Sequence, residues 1–243
     1  MEQKKKDEIT VSEYLRIRQE ISEYLDEKKF KKIPSSFDKL PDNHKQVVTD
    51  YANLIYEKAK ILEPSISRDL NDLISDGNAY FTSFEHRLKT LHSLKRKIIA
   101  DSKDYNGSYY RASHNICDSI RYTLLIEDNA YVVVVNDYLH NLEEMGYEVI
   151  DFKNNWGDEF YQGINVRIVA KNKEDIFELQ FHTPFGYEIK EKCTRDLYEV
   201  IRDPYSSASL KKDANKLRKL FQKQVVPPPG VLDYQFESLD KRR

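Results

Sequence analysis

Tyr161-Gln-Gly-Ile-Asn165 and Phe177-Glu-Leu-Gln-Phe-His-Thr183 alternate apolar and polar side chains so as to gather aromatic, amide, carboxylate and imidazole groups on one surface. Successive residues of a strand point to opposite faces. Ile164, Val166 and Ile168 therefore share one face, with Tyr161, Asn165 and Arg167 on the other and Gly163 between them. In the second segment Phe177, Leu179 and Phe181 are the apolar side, leaving Glu178, Gln180 and His182 opposite. A buried strand carries that many polar groups on one side only where they are paired or bind something. With Lys171-Asn-Lys-Glu174 as a hairpin turn, Asn165 lies near Glu178 and Tyr161 near His182. An edge hairpin with one solvated face accounts for the same pattern, because antiparallel sheets often keep a wet side.

A second constellation is Arg87-Leu-Lys89-Thr-Leu-His-Ser93-Leu-Lys-Arg-Lys97. From Arg87 to Lys103 six basic residues stand against Asp101 alone, a local charge of +5. On a helix Lys89, Ser93 and Lys97 recur every four residues and share a face. Several ammonium and guanidinium donors with a hydroxyl suit a polyphosphate, whose charge they divide. A solvated basic face is the commoner meaning of such a run taken alone.

The elements that must position these groups change character near residue 116. Before it, Val11 to Lys28, His44 to Leu62 and Ile66 to Ile74 place apolar residues at helical spacing, with Pro34, Pro41 and Pro64 as the expected boundaries. After it come strand-like runs at 120–126, 147–152, 166–170 and 176–181. Tyr131 to Met145 suits a crossover helix, although Val132 to Val135 alone reads equally as a strand. A helix is expected from about Tyr187 to Ile201 and a basic one from Ser206 to Lys223, followed by a Pro-rich spacer at 225–230 and a charged tail. The organisation expected is a helical extension over 1–80, a sheet-containing domain over 81–205 and a basic helix, Pro-rich spacer and tail over 206–243. The fold class is α/β (α+β): a mixed sheet of about five strands flanked by helices, with an all-helical N-terminal extension.

Bulk properties exclude little else. The 243 residues carry 39 basic and 41 acidic side chains, a net of −2, so global charge argues for neither a nucleic-acid nor a membrane partner. Cys117 and Cys193 are too few for a disulfide framework or a cysteine-based zinc site. No segment reaches the roughly 18 apolar residues of a membrane span. The expected location is the cytoplasm, or outside it by a route that uses no ordinary signal peptide.

Taken in order, these motifs resemble the synthetase domain of the RelA/SpoT superfamily, the enzymes that make (p)ppGpp-type alarmones. That family's Arg-x-Lys-x-x-x-Ser-x-x-x-Lys stretch, which grips ATP, stands here as Arg87, Lys89, Ser93 and Lys97. Its strand with a metal-binding Asp and a terminal Ile-Arg is matched by Asp118-Ser-Ile-Arg121, its Tyr-x-Ser-x-His strand by Tyr161 to Asn165, and its Glu-x-Gln-x-Arg-Thr strand by Glu178 to Thr183. The resemblance covers roughly residues 80 to 203 and implies the nucleotidyltransferase-like synthetase fold. Departures cluster on the acceptor side: Gly163 and Asn165 replace Ser and His, and His182 replaces Arg. The family's acid also stands five residues before the arginine, where this chain has Ile116. The run Phe177 to Pro184 is similar to the branch found in bacterial toxins, which implies a toxin or effector role.

The resemblance implies an ATP- and Mg²⁺-dependent pyrophosphokinase that moves the β,γ-pyrophosphate of ATP onto a ribose hydroxyl of a purine nucleotide. Asp118 and Glu178 are the implied metal ligands. Arg121 and Gln180 join them as catalytic residues, Gln180 positioning the attacking hydroxyl. Tyr161, Asn165, Lys153, Asn155 and His182 are the implied acceptor contacts. Packing is the lesser alternative for Tyr161, and a structural ion pair accounts equally for Asp118 with Arg121. Two other readings stay open: an RNA pyrophosphokinase acting at a tRNA 3′ end, with Lys211, Lys212, Lys216, Arg218, Lys219 and Lys223 as its electrostatic contact, and an inactive nucleotide-binding module. Purine nucleotides are the expected partners, with tRNA as the alternative acceptor, a homo-oligomer admitted and no membrane.

Overall fold

Two long helices open the chain, α1 (Val11–Phe30) and α2 (Asp42–Asp72), in a computed structural model that describes residues 9–30, 36–74 and 77–239. Met1 to Glu8, Pro34 with its expected helix boundary, and the last residues of the charged tail lie outside them. Beyond α2 the described chain runs through β1 (Ala79–Thr82), α3 (Leu91–Ser102), α4 (Tyr109–His114), β2 (Arg121–Ile126), α5 (Tyr131–Glu144), β3 (Glu148–Asn154), β4 (Ile164–Val169), β5 (Ile176–His182), α6 (Pro184–Glu188), α7 (Arg195–Arg202) and α8 (Ala208–Gln222). A wider, π-type turn at Ile189–Thr194 joins α6 to α7.

The sheet is mixed and five-stranded, ordered β1-β2-β5-β4-β3, with only β2 and β5 parallel. Parallel neighbours need a long crossover. Here it contains α5, β3 and β4, so Tyr131 to Glu144 is helix, not strand. Tyr131, Val135, Tyr138, Leu139 and Leu142 are its buried residues, at helical spacing. The fifth strand, β1, is not among the runs expected from the sequence. Its four residues pair antiparallel with Thr123 to Ile126, and so short an edge strand leaves little period-2 signal.

Pro64 does not end a helix as expected; it lies inside α2. An interior proline loses one backbone bond and strains the preceding turn, at roughly 3 kcal/mol. Tertiary partners on either side offset this. Ile66 and Leu70 are buried, each contributing about 1.5–3 kcal/mol. Tyrosines from three other places also reach the helix: Tyr122 to Glu63 at 3.0 Å, Tyr138 to the Leu70 carbonyl at 2.6 Å and Tyr147 to Asp69 at 2.7 Å. A local breaker is overridden by packing.

The chain divides into two compact units, one of Met1–Ile33, Asp158–Gln162 and Phe185–Val226, the other of Pro34–Gly157, Gly163–Pro184 and Pro227–Arg243. In the first, Ile17 and Ile21 of α1 pack with Leu197 and Val200 of α7 and Ala214 and Leu217 of α8. In the second, Val48 and Ala52 of α2 pack with Leu94, Ile98 and Ile99 of α3 and Ala112 of α4. There too the apolar sheet face is buried: Tyr122 and Leu124, Phe177, Leu179 and Phe181, and Ile164, Val166 and Ile168.

Candidate active site

The polar face of the sheet is built as the alternation predicts, but with a different register. Asn165 is directly opposite Gln180, and Arg167 opposite Glu178. The expected pairing of Asn165 with Glu178 is two residues off: a turn at 171–174, closed by the Ala170 N–H on the Asp175 carbonyl at 2.7 Å, sets Asn165 against Gln180. The turn itself lies where expected, closed by Asn172, whose side chain accepts from the N–H groups of Glu174 and Asp175 at 3.2 Å each. Across the parallel pair, Arg121 stands opposite Glu178 and Thr123 opposite Gln180. Two rows result, Arg121-Glu178-Arg167-Asp151 and Thr123-Gln180-Asn165-Lys153. Glu178 thus stands between two arginine positions, and Gln180 donates to its Oε1 at 2.5 Å.

Asp118 lies just ahead of β2, outside the strand on which the resemblance placed it. It is positioned by backbone pairing of an extended segment: Arg121 N–H meets the Arg87 carbonyl at 2.8 Å, and Lys89 N–H the Ser119 carbonyl at 2.9 Å. The same pairing corrects the expected helical ladder, because Lys89 precedes the helix. Thr90 caps α3, accepting from the Ser93 N–H at 3.2 Å. Only Ser93 and Lys97 are helical. The fold nevertheless brings both lysines to one carboxylate: Lys89 Nζ stands 3.0 Å from Asp118 Oδ2, and Lys97 Nζ 3.8 Å from Oδ1. Burial pushes the Asp118 carboxyl up, but Lys89, Lys97 and Arg121 outweigh it and hold the group below its ordinary value. Burial likewise pulls the Lys97 ammonium down, and Asp118, Asp101 and Glu178 together raise it above its usual value. Cys117, next in the chain, is a half-buried thiol pushed up by burial despite the nearby Arg167.

Asp118 Oδ1 is a buried oxygen without a hydrogen bond. That atom and Glu178 offer two carboxylates on the same electropositive ground, since both act on Lys97. Among the described residues no group of three His, Cys, Asp or Glu side chains is arranged to hold a metal. Two carboxylates match the one or two that usually hold Mg²⁺ together with nucleotide phosphates, so the residues present fit that ion if it arrives with a nucleotide.

Arg87 is placed differently from the lysines. Its Nε donates to Glu63 at 2.5 Å and its Nη1 to the Phe84 carbonyl at 2.8 Å, with the guanidinium 4.7 Å over the Phe84 ring. It lines a cleft of about 480 Å³ with Tyr56, Thr90 and His92. Glu63 is one functional-looking residue that sequence reading missed, being a single acid before a proline in an amphipathic helix. Arg167 was legible on the polar face, yet nothing in the spacing marked it as the neighbour of Glu178.

The expected acceptor residues divide. Lys153 is exposed opposite Asn165 and 3.3 Å from Asp151. Asn155 follows β3, its backbone N–H bonded to the Gly163 carbonyl at 2.9 Å. His182 is fully buried beneath Gly163 (0% exposed), so its imidazole is part of the packed interior. At Gly163 the φ is +154°, and a Cβ built there meets the His182 ring at 2.6 Å, so a side chain at this position collides with the imidazole. Tyr161 precedes β4 instead of lying in it and belongs to the first unit, where Lys190 stands 5.9 Å over its ring. In that unit two cations of the basic helix α8 are ion-paired, Lys216 with Glu13 at 2.7 Å and Lys219 with Glu159, while Arg218 donates to the Phe160 carbonyl at 3.0 Å.

Several solved structures are similar to this chain. A GTP pyrophosphokinase family protein from Streptococcus pneumoniae is 14% identical, covers 76% of this chain and 90% of its own, and has a TM-score of 0.43. Small alarmone synthetase 2 from Bacillus subtilis is 13% identical over 70% of this chain and 93% of its own, with a TM-score of 0.41. Small alarmone synthetase 1 from Bacillus subtilis, bound to its product pppGpp, is 12% identical over 76% and 97%, with a TM-score of 0.38. No protein-family model and no curated protein matches the sequence.

Proposed function

We propose that the chain is a pyrophosphokinase that uses ATP as donor and transfers its β,γ-pyrophosphate to a ribose hydroxyl of a purine nucleotide. The observation that supports this most is the convergence of Lys89 and Lys97 on Asp118, three residues ahead of the Arg121 that is registered against Glu178. Phosphoryl and pyrophosphoryl transfer needs little covalent chemistry from the protein; it needs positioning and positive charge where the transition state is most anionic. Lys89, Lys97 and Arg121 supply that charge, and the Ser93 hydroxyl on the first turn of α3 adds a neutral donor for phosphate oxygens. In the reaction the acceptor hydroxyl attacks the β-phosphorus in line and AMP departs. Gln180, tied to Glu178 and flanked by Thr123 and Asn165, orients the hydroxyl. Lys153 and Asn155 face the acceptor's own phosphates. Mg²⁺, when bound by Asp118 and Glu178 with the nucleotide, supplies the remaining charge neutralisation.

The acceptor decides between this reading and the RNA alternative. The ion pairs of Lys216 and Lys219 offset part of the charge on which an RNA contact through α8 relies. Incubation with γ-labelled ATP and Mg²⁺, offering GTP, GDP, adenine nucleotides and tRNA in turn, is the test. Label on a free purine nucleotide supports the proposal. Label on tRNA moves the reading to RNA, and label on none of them, with ATP bound, reduces the chain to a nucleotide-binding module.

A further inference from the structure

Glu63 is a carboxylate with no place in the motifs, and it is nearly inaccessible, at 4% exposed. A buried carboxylate is costly unless paired and hydrogen-bonded. Its partners come from three elements: Ser67 one turn on in α2, Tyr122 of β2 at 3.0 Å, and Arg87 at 2.5 Å. Burial pushes its carboxyl up, and Arg87, Ser67 and Tyr122 outweigh that and leave it lowered, hence ionised. Arg87 is thereby held by Glu63 on Nε, by the Phe84 carbonyl on Nη1 and by the Phe84 ring on one face. What remains of the guanidinium borders the 480 Å³ cleft that Arg87 shares with Tyr56, Thr90 and His92. Fixing a guanidinium in this way removes the rotamer freedom that a long side chain otherwise loses on binding.

We propose that Glu63 is a positioning residue for the donor nucleotide: from the buried side of α2 it sets Arg87 to meet the phosphates of ATP before ATP arrives. The inference rests on the donor-site reading above and adds a determinant outside the motifs. It predicts that Glu63 acts on ligand affinity through Arg87, apart from any effect on stability.

ATP titration with Mg²⁺, run beside thermal melts on full-length wild type, Glu63→Gln, Glu63→Asp and Tyr122→Phe, separates the two effects. Glu63→Gln removes the charge that orients Arg87, and Glu63→Asp withdraws it by one methylene. Both are expected to bind ATP about tenfold more weakly, the scale of one charged hydrogen bond, and Glu63→Asp serves if Glu63→Gln does not fold. Tyr122→Phe deletes a bond to the same carboxylate without touching Arg87, and is expected to lose stability while keeping wild-type affinity. Affinity that falls equally in Tyr122→Phe, or stays at the wild-type level in the Glu63 variants, overturns the proposal. Wild-type protein that binds no ATP overturns the donor-site reading itself, and this inference with it.

Discussion

Residues named by one motif do different physical work in this fold. Lys89 and Lys97 share Asp118, whereas Arg87 answers a buried carboxylate. Lys89→Ala is therefore expected to weaken ATP binding by about tenfold with a melting temperature close to wild type, because Asp118 keeps Lys97 and Arg121 nearby. Arg87→Ala should also weaken ATP binding, but at a cost of roughly 3–5 kcal/mol in stability, the usual penalty for leaving a buried charge alone. Parallel melts and nucleotide titrations read the contrast, and equal stability in the two variants would show that Glu63 does not need its partner. Glu178→Gln preserves shape and removes the charge that a divalent ion requires. Its expected result is loss of Mg²⁺-dependent transfer with ATP still bound and little change in melting temperature; unchanged turnover would remove Glu178 from the reaction.

At the scale of elements, close approaches and clamps decide what the chain tolerates. Gly163 opens onto the His182 ring, and any side chain there must displace the imidazole or the start of β4. Gly163→Ala is expected to destabilise by about 1–3 kcal/mol through overpacking and strained φ, measurable by urea unfolding. In the first unit, Asp203 at the end of α7 holds α1 through Lys28 and the Tyr24 hydroxyl, the latter at 2.9 Å. Burial raises the Asp203 carboxyl, but Lys28, the Tyr205 N–H and Tyr24 together hold it below its ordinary value. A carboxyl lowered by folding contributes stability that is complete above its unfolded value, near pH 3.9, and is lost as pH falls through the lower folded value. Asp203→Asn should thus cost about 1–3 kcal/mol at neutral pH, and the gap from wild type should close below about pH 3.9. A gap independent of pH would mean that shape, not charge, holds α1.

Over the whole molecule, the described residues that follow the Pro-rich run are structural in the second unit. Asn154 donates to the Val231 and Tyr234 carbonyls at 2.6 and 3.0 Å, Tyr234 meets Phe152 edge to face, Phe236 packs on it at a tilt, and Ser238 donates to Glu143 at 2.7 Å. The described part of the stretch read as a charged tail, Val231 to Ser238, is thus packed against β3 and α5. Deleting residues 229–243 is expected to lower the melting temperature by several degrees, on the scale of a few kcal/mol for a domain of this size, and to impair the acceptor side, since Asn154 adjoins Lys153 and Asn155. A truncated chain that melts like wild type and turns over normally would make the segment dispensable. Among the described residues no helix is long and apolar enough to cross a membrane.

Alternation and periodicity were enough to read the polar rows of β4 and β5, the crossover, α1 and α8, because each is set by which side chains must leave water within one short segment. The motifs likewise named Asp118, Lys89 and Lys97, which the fold brings together, and Arg121 and Glu178, which it sets opposite one another. Partners distant in sequence were beyond that reading. Pro64 inside α2, β1 at the sheet edge, Glu63 beneath Arg87 and the internal pairing of α8 each depend on groups brought from elsewhere in the chain. Two lysines reach Asp118 because an extended segment pairs beside Ser119 to Arg121, not because they recur every four residues. Local propensity and charge spacing are properties of a segment, whereas burial, register and ion pairing belong to the folded chain, whose long-range contacts decide which local preference is kept.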